Sequence, residues 1–229
     1  MKTITITIFA VLLSVSCIAQ NSLPLTGSFL AKVGNKNHLW LFVDGYSSYI
    51  EYENDKYIRT WGGPFKRSSD SIAIQIEYDD TKQQEIGMEK KIHININKNE
   101  IVYGDVVYKR QKVAKQPLDG LWRITGRVNE NKMSEIPLGD RKTIKILVDG
   151  FFQWIAINPK EKGFYGTGGG KYSFKNQTYQ ENILFFSRDN TRVGAQLEFK
   201  GELKDLKWHH SGKSSKGDPI YEIWSLDKQ

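Results

Sequence analysis

Over 178–186, Tyr179, Glu181, Ile183 and Phe185 alternate with Thr178, Gln180 and Asn182. Successive side chains of a strand point to opposite faces, so the first set shares one face. That face is apolar apart from Glu181, which makes it the inward one. An acid taken out of water without a partner is costly. Glu181 must therefore be paired, hydrogen-bonded or protonated. Three roles are open to it. It could pair with Arg192 or Arg188, anchor the polar end of a ligand, or act as a general acid or base with His210 as partner.

The second chemical group is Trp208-His209-His210, just before an expected Ser/Gly/Lys loop at 211–217. Neighbouring histidines on a strand face opposite ways and cannot easily hold one ion together. Their spacing fits no zinc motif. One is expected to face water; the other packs, or reaches Glu181 or a ligand. Aromatic walls with one or two polar groups are the usual make-up of a small-molecule pocket. The expected ligand site is therefore Glu181 as anchor, Arg192 or His210 in support, and Trp154, Tyr165, Tyr179, Phe185 and Trp208 around them. A filled core is the other use for such aromatics. No metal or cofactor is expected. Gly166-Thr167-Gly168-Gly169-Gly170-Lys171 is followed by Tyr172 rather than Ser or Thr, so it is not a phosphate loop. No Ser-His-Asp elbow or cysteine nucleophile occurs.

These residues sit in the second of two similar halves. Asp44-Gly45 and Asp149-Gly150 lie 105 positions apart, as do Leu41 and Ile146, Tyr49 and Trp154, and Ile50 and Ile155. An offset of 107 pairs Thr60 with Thr167, Ile76 with Ile183 and Gly87 with Gly194. Such fixed offsets mark an internal duplication. We read domains at 22–112 and 116–229, joined by the short polar link 112–117. Asp-Gly between apolar runs signals a two-residue hairpin. The period is two throughout, with about eight short strands per half, which predicts an all-β fold of two tandem antiparallel up-and-down barrels. The counterpart of Glu181 is Ile74, so the first half reads as the packed copy and the second as the one holding a site. Gly104 and Gly217 lie 113 apart rather than 107, so the second half has about six extra residues near its end.

Gly120-Leu121-Trp122 at the start of a meander resembles the Gly-x-Trp opening of lipocalins and related calycin barrels. The second half is also similar to uncharacterised lipocalin-like secreted proteins of Bacteroidetes-type bacteria. It shares the string Gly163-Phe164-Tyr165-Gly166-Thr167-Gly168-Gly169-Gly170-Lys171-Tyr172. Further shared runs are Tyr179-Gln180-Glu181, 188–194, 208–212 and Tyr221-Glu222-Ile223-Trp224. The resemblance implies a small-molecule-binding barrel without specifying the ligand. In the first half Phe29 replaces the Trp.

Lys2, the mostly apolar run Ile4 to Val15, and Ser16-Cys17-Ile18-Ala19 read as a secretion signal, 1–19. The periplasm or the cell exterior is the expected destination. Lipid attachment at Cys17 is the alternative, although Ser14 stands where such a box carries Leu. Cys17 is the only cysteine of the 229 residues, so cleavage after Ala19 leaves a chain with no disulfide. The net charge of +7 becomes +6 without Lys2. A solvated basic surface accounts for it, and an anionic surface glycan is a partner that would suit it. There is no dense basic run, so no nucleic acid partner is expected, and no segment has transmembrane length.

Overall fold

The structure, a computed structural model, describes residues 25–130 and 132–227. The segment read as a secretion signal, with Cys17, lies outside them. The first half supplies β1 (Gly27–Val33), β2 (Lys36–Val43), β3 (Tyr46–Tyr52), β4 (Tyr57–Arg67), β5 (Ser71–Gln75), β6 (Tyr78–Asp79), β7 (Glu89–His93), β8 (Asn95–Ile96), β9 (Glu100–Tyr103) and β10 (Val106–Arg110). They form one antiparallel sheet in the order β7-β5-β4-β3-β2-β1-β10-β9-β8, with β6 on β4. This sheet curls into a nearly closed barrel. The second half supplies β11 (Gly120–Asn129), β12 (Lys132–Glu135), β13 (Lys142–Val148), β14 (Phe151–Asn158), β15 (Gly163–Lys175), β16 (Thr178–Phe186), β17 (Gln196–Lys204), β18 (Lys207–Lys213) and β19 (Pro219–Leu226). Eight of these close into a barrel through β11 and β19, and β12 extends β11 as a hairpin. Closure leaves those eight strands no free edge of their own to pair with another chain. No helix among the described residues is long and apolar enough to cross a membrane.

Both Asp-Gly turns take positive φ at both residues, 49° and 76° at Asp44-Gly45 and 48° and 73° at Asp149-Gly150. Those are the angles that match the right-handed twist of the flanking strands. The stretch 211–213 is not loop but the end of β18. The extra residues lengthen the β18–β19 hairpin relative to β9–β10.

Three apolar layers result. Trp40, Phe42, Tyr49, Trp61 and Ile74 belong to the core of barrel one. Trp122, Phe152, Tyr179, Ile183, Trp208 and Trp224 belong to the core of barrel two. Between the barrels lies a third layer from the outer faces of β2, β3, β13 and β14. Leu39, Leu41, Val43, Tyr46, Ile50 and Tyr52 meet Ile144, Ile146, Val148, Phe151, Ile155 and Ile157 there. Each of the second set is the first shifted by 105. Equivalent surfaces therefore face each other, as across the two-fold axis of a symmetric dimer. A fully buried side chain of this kind contributes about 1.5–3 kcal/mol, so the layer binds the halves into one body.

Polar contacts repeat the symmetry. Leu121 N donates to Asp44 Oδ2 at 3.0 Å, and Ser28 N donates to Asp149 Oδ2 at 3.1 Å. Each hairpin turn thus caps the first strand of the other barrel. Near the axis, Ser48 Oγ donates to Gln153 Oε1 at 2.5 Å, and these two positions are themselves 105 apart. Gln153 Nε2 donates to the hydroxyls of Thr60 (3.1 Å) and Thr167 (3.0 Å), which are also counterparts. Tyr78 Oη donates to Ser48 Oγ at 2.6 Å. Every member of this dry network is satisfied, as burial requires.

Candidate ligand site

On β16, Tyr179, Glu181 and Ile183 face the interior, as the alternation predicts. A bulge opposite Gly169 and Gly170 then inserts Leu184 as an extra residue. One inserted residue reverses the facing of all that follow. Phe185 accordingly turns outward into the layer between the barrels, packing against Tyr52 with centroids 5.4 Å apart and ring planes tilted by 38°. The expectation that it walls a pocket is overturned. Phe186 takes the inward position and packs against Trp154 at 5.5 Å.

The partner of Glu181 is Lys145. Its Nζ lies 3.1 Å from Glu181 Oε1, with side-chain exposures of only 5% and 6%. Arg192, proposed from the sequence, instead pairs with Asp189 at 3.0 Å and bonds the Ser215 carbonyl. It takes no part in the site. Lys145 escaped the sequence reading because Ile144, Ile146 and Val148 suggest that their own face is the inner one. That face is apolar because it meets the other barrel. The signal was in the repeat: Lys145 stands where the first half has Trp40.

The Lys145 ammonium sits among four aromatic rings. Their centroids are 5.1 Å (Trp208), 5.1 Å (Trp224), 5.2 Å (Tyr179) and 5.8 Å (Phe152) away. Each ring face is electron-rich and attracts the cation. His209 and His210 divide as expected: His209 is half-buried beside Tyr221, and His210 is buried in the barrel. The His210 ring lies 4.2 Å from Phe199, 5.1 Å from Trp208 and 5.4 Å from Tyr179. Its Nδ1 is 3.5 Å from Glu222 Oε2, which also accepts from Trp224 Nε1 at 3.2 Å. Glu181 and His210 share the interior but make no hydrogen bond to each other, because Glu181 is taken by Lys145.

Four polar atoms inside this cluster make no hydrogen bond of good geometry: Tyr179 Oη, Trp208 Nε1 and both ring nitrogens of His210. Two of them have a carboxylate beside them, Glu181 for Tyr179 and Glu222, at 3.5 Å, for His210 Nδ1. Burial raises the Tyr179 pKa well above normal, and the Glu181 charge adds to it. Burial also lowers the His210 pKa, reinforced by Lys145 and opposed by Glu222 and Glu181. Burial alone would raise the Glu222 carboxyl, but His210, Lys145 and Arg127 outweigh it and hold the pKa down.

The His210 shift has a consequence for stability. The unfolded ring takes a proton near pH 6.5, while the folded one does so only at lower pH. The unfolded state thus binds more protons as pH falls below 6.5, and stability drops. His38 is shifted in the same direction. Denaturant titrations across this range should show a shallower loss for His210→Gln than for the natural chain. Parallel curves would mean that His210 is not buried neutral.

The remaining candidates divide. Trp154 lies partly buried at one end of the barrel, over Gly168. Tyr165 lies beneath the Arg141 guanidinium at 4.6 Å, with its hydroxyl towards Glu161, and does not touch the Lys145–Glu181 pair. A cleft of about 450 Å³ over β15, β16 and β17 includes Glu181, Tyr172 and Leu197 in its lining. Among the described residues no three His, Cys, Asp or Glu side chains gather as a metal site.

Ile72, Ile74 and Ile76 are buried, yet the first half holds a polar group elsewhere in its interior. Glu51 on β3 is buried, and Arg59 reaches it at 2.6 Å. At the matching end of barrel two, His38, Glu51, Arg59 and Trp61 are replaced by Thr143, Ala156, Gly166 and Gly168. The polar plug of one barrel is replaced by small residues in the other, with Trp154 and Phe186 packed over Gly168 and Arg188 over Gly166. A scan of protein-family models matches the chain to none, and a search of curated proteins finds no relative.

Proposed function

We propose that the protein is an exported, lipocalin-like binding protein whose second barrel takes a small, partly apolar molecule. The observation that carries this is the group of four buried polar atoms on Tyr179, Trp208 and His210 that lack a well-formed hydrogen bond, two of them, Trp208 Nε1 and His210 Nε2, with no polar group close by. A buried polar group left unpaired costs about 1–3 kcal/mol, so several together are unfavourable in an empty core. A ligand that bonds to them recovers that cost. The aromatic walls suit its apolar part, and the Lys145–Glu181 pair its polar end.

The test uses two near-isosteric changes, Tyr179→Phe and Trp208→Phe, in the full chain. Each removes an orphan polar atom while keeping an aromatic ring. Tyr179→Phe should leave the ligand-free protein as stable or more so, and should weaken retention of any small molecule seen by native mass spectrometry after purification from the host. Destabilisation by Tyr179→Phe would mean that its hydroxyl is bonded within the protein. Undiminished retention in both variants would place the ligand elsewhere.

A further inference from the structure

Barrel one carries a second, chemically different group at its end. His38 lies on β2, Tyr49 and Glu51 on β3, and Arg59 on β4. Arg59 donates to Glu51 Oε1 through Nε (3.0 Å) and Nη2 (2.6 Å). Tyr49 Oη donates to the same oxygen at 3.0 Å, and His38 Nδ1 is 2.6 Å from Tyr49 Oη. These contacts determine where the protons lie. Tyr49 has one hydroxyl proton, and an ionised carboxylate can only accept. If that proton pointed at His38, two acceptor oxygens would face each other at 3.0 Å. It therefore points at Glu51, and His38 Nδ1 carries the hydrogen that bonds Tyr49. The imidazole is neutral near pH 7, since burial holds its pKa below the usual value. Its Nε2 is then a bare lone pair, and this buried atom has no partner.

Glu51 Oε2 likewise accepts no hydrogen bond among the described residues, since the bonds above all fall on Oε1. Arg59 keeps N–H donors beyond the two nitrogens it turns to Glu51. The group lies near the surface: the His38 side chain is 15% exposed and Arg59 35%. The charges of Glu51 and Arg59 cancel, His38 is neutral, and the exposed Lys36 is a further cation near His38. Tyr103 and Tyr49 both pack on Trp40, at 6.2 Å and 5.7 Å, and Tyr103 is half-exposed. The second half has Thr143, Trp154, Ala156 and Gly166 in place of the four polar residues, so the group is peculiar to barrel one.

We propose that this end of barrel one is a binding site for a neutral hydroxyl-rich ligand of the saccharide class. His38 Nε2 and Glu51 Oε2 accept from ligand hydroxyls, Arg59 donates to a ligand oxygen, and Tyr103 offers an aromatic face to ligand C–H groups. Glu51 and Arg59 neutralise each other within the group, and two acceptors beside one donor fork match adjacent hydroxyls. The site is independent of the one in barrel two.

Long-range proton–nitrogen spectra of the histidines in the full chain test this directly. His38 should show hydrogen on Nδ1 and none on Nε2. Glucose, galactose, mannose and N-acetylglucosamine are then titrated in, with sodium glucuronate as the charged comparison. At least one neutral sugar should shift the His38 Nε2 resonance saturably and bind more tightly than glucuronate. Glu51→Gln should weaken that response at least about ten-fold, the scale of one lost hydrogen bond. Tyr49→Phe, which breaks the relay and leaves the ligand contacts in place, should weaken it less. Folding of both is checked by thermal melts, and should Glu51→Gln not fold, the spectra and sugar titrations of the natural chain decide. Hydrogen on Nε2, no saturable shift with any of the four sugars, or a response undiminished in folded Glu51→Gln would overturn the proposal.

Discussion

Lys145→Met alone should lower the stability of the chain by about 3–5 kcal/mol, because it leaves the Glu181 carboxylate buried without its cation. Glu181→Leu alone should cost less. Its orphan, the Lys145 ammonium, keeps four aromatic faces within 5.1–5.8 Å. Those faces attract a cation and repel a carboxylate, which sets the order of the two singles. The double variant Lys145→Met/Glu181→Leu should recover most of the loss, since well-packed apolar replacements of a buried pair are often neutral or stabilising. Equilibrium denaturation of the four proteins gives the coupling energy directly. Two singles each within about 0.5 kcal/mol of the natural chain, the range of ordinary surface changes, would show that water reaches the pair. The double variant also separates folding from binding. If the pair serves the ligand, that protein is stable and no longer retains it.

Gln153→Leu should destabilise both barrels together, by about 1–3 kcal/mol, through the polar atoms it strands in the layer between them. Gln153 joins Ser48 and Thr60 of one barrel to Thr167 of the other. With leucine there, the Ser48 hydroxyl loses its acceptor in a dry layer. Thr60 and Thr167 keep their bonds to the carbonyls of Tyr49 and Trp154, so the loss stays near the cost of one stranded group. Because the apolar layer joins the halves, denaturant unfolding should remain a single transition shifted to lower concentration. Two separated transitions would mean that the barrels are held less firmly than six symmetric pairs of buried side chains imply. A shift below about 0.5 kcal/mol would mean that water replaces the amide.

Much of the architecture could be read from residue types and spacing. Asp44-Gly45 and Asp149-Gly150 specify their hairpins because only tight turns with positive φ use that pair so well. Ile72, Ile74 and Ile76 alternate as a strand with one buried face, and the 105 and 107 offsets gave the two barrels. Glu181 was recognisable as a buried acid from the period of two alone. The site around it was only partly readable. Tyr179, Trp208 and His210 are where the alternation puts them, but a strand says nothing about what faces it across a barrel. The partner of Glu181 lies 36 positions away on β13, whose apolar alternation, Ile144, Ile146 and Val148, marks the face away from Lys145.

The sequence by itself determined the all-β class, the duplication, the hairpins and the inward face of Glu181. These depend on local backbone preference and on a period that one strand displays alone. Tertiary structure decided three further points. A single inserted residue at Leu184 turned Phe185 out of the barrel. The second apolar face of β13 belongs to the contact between the halves, which left Lys145 facing inward. And Glu51 with His38, Tyr49 and Arg59 gives the first barrel a polar site of its own. Each depends on which surfaces meet after the sheets curl and pack. Residues far apart in the chain then share one dry space, and charge and hydrogen bonding must balance there.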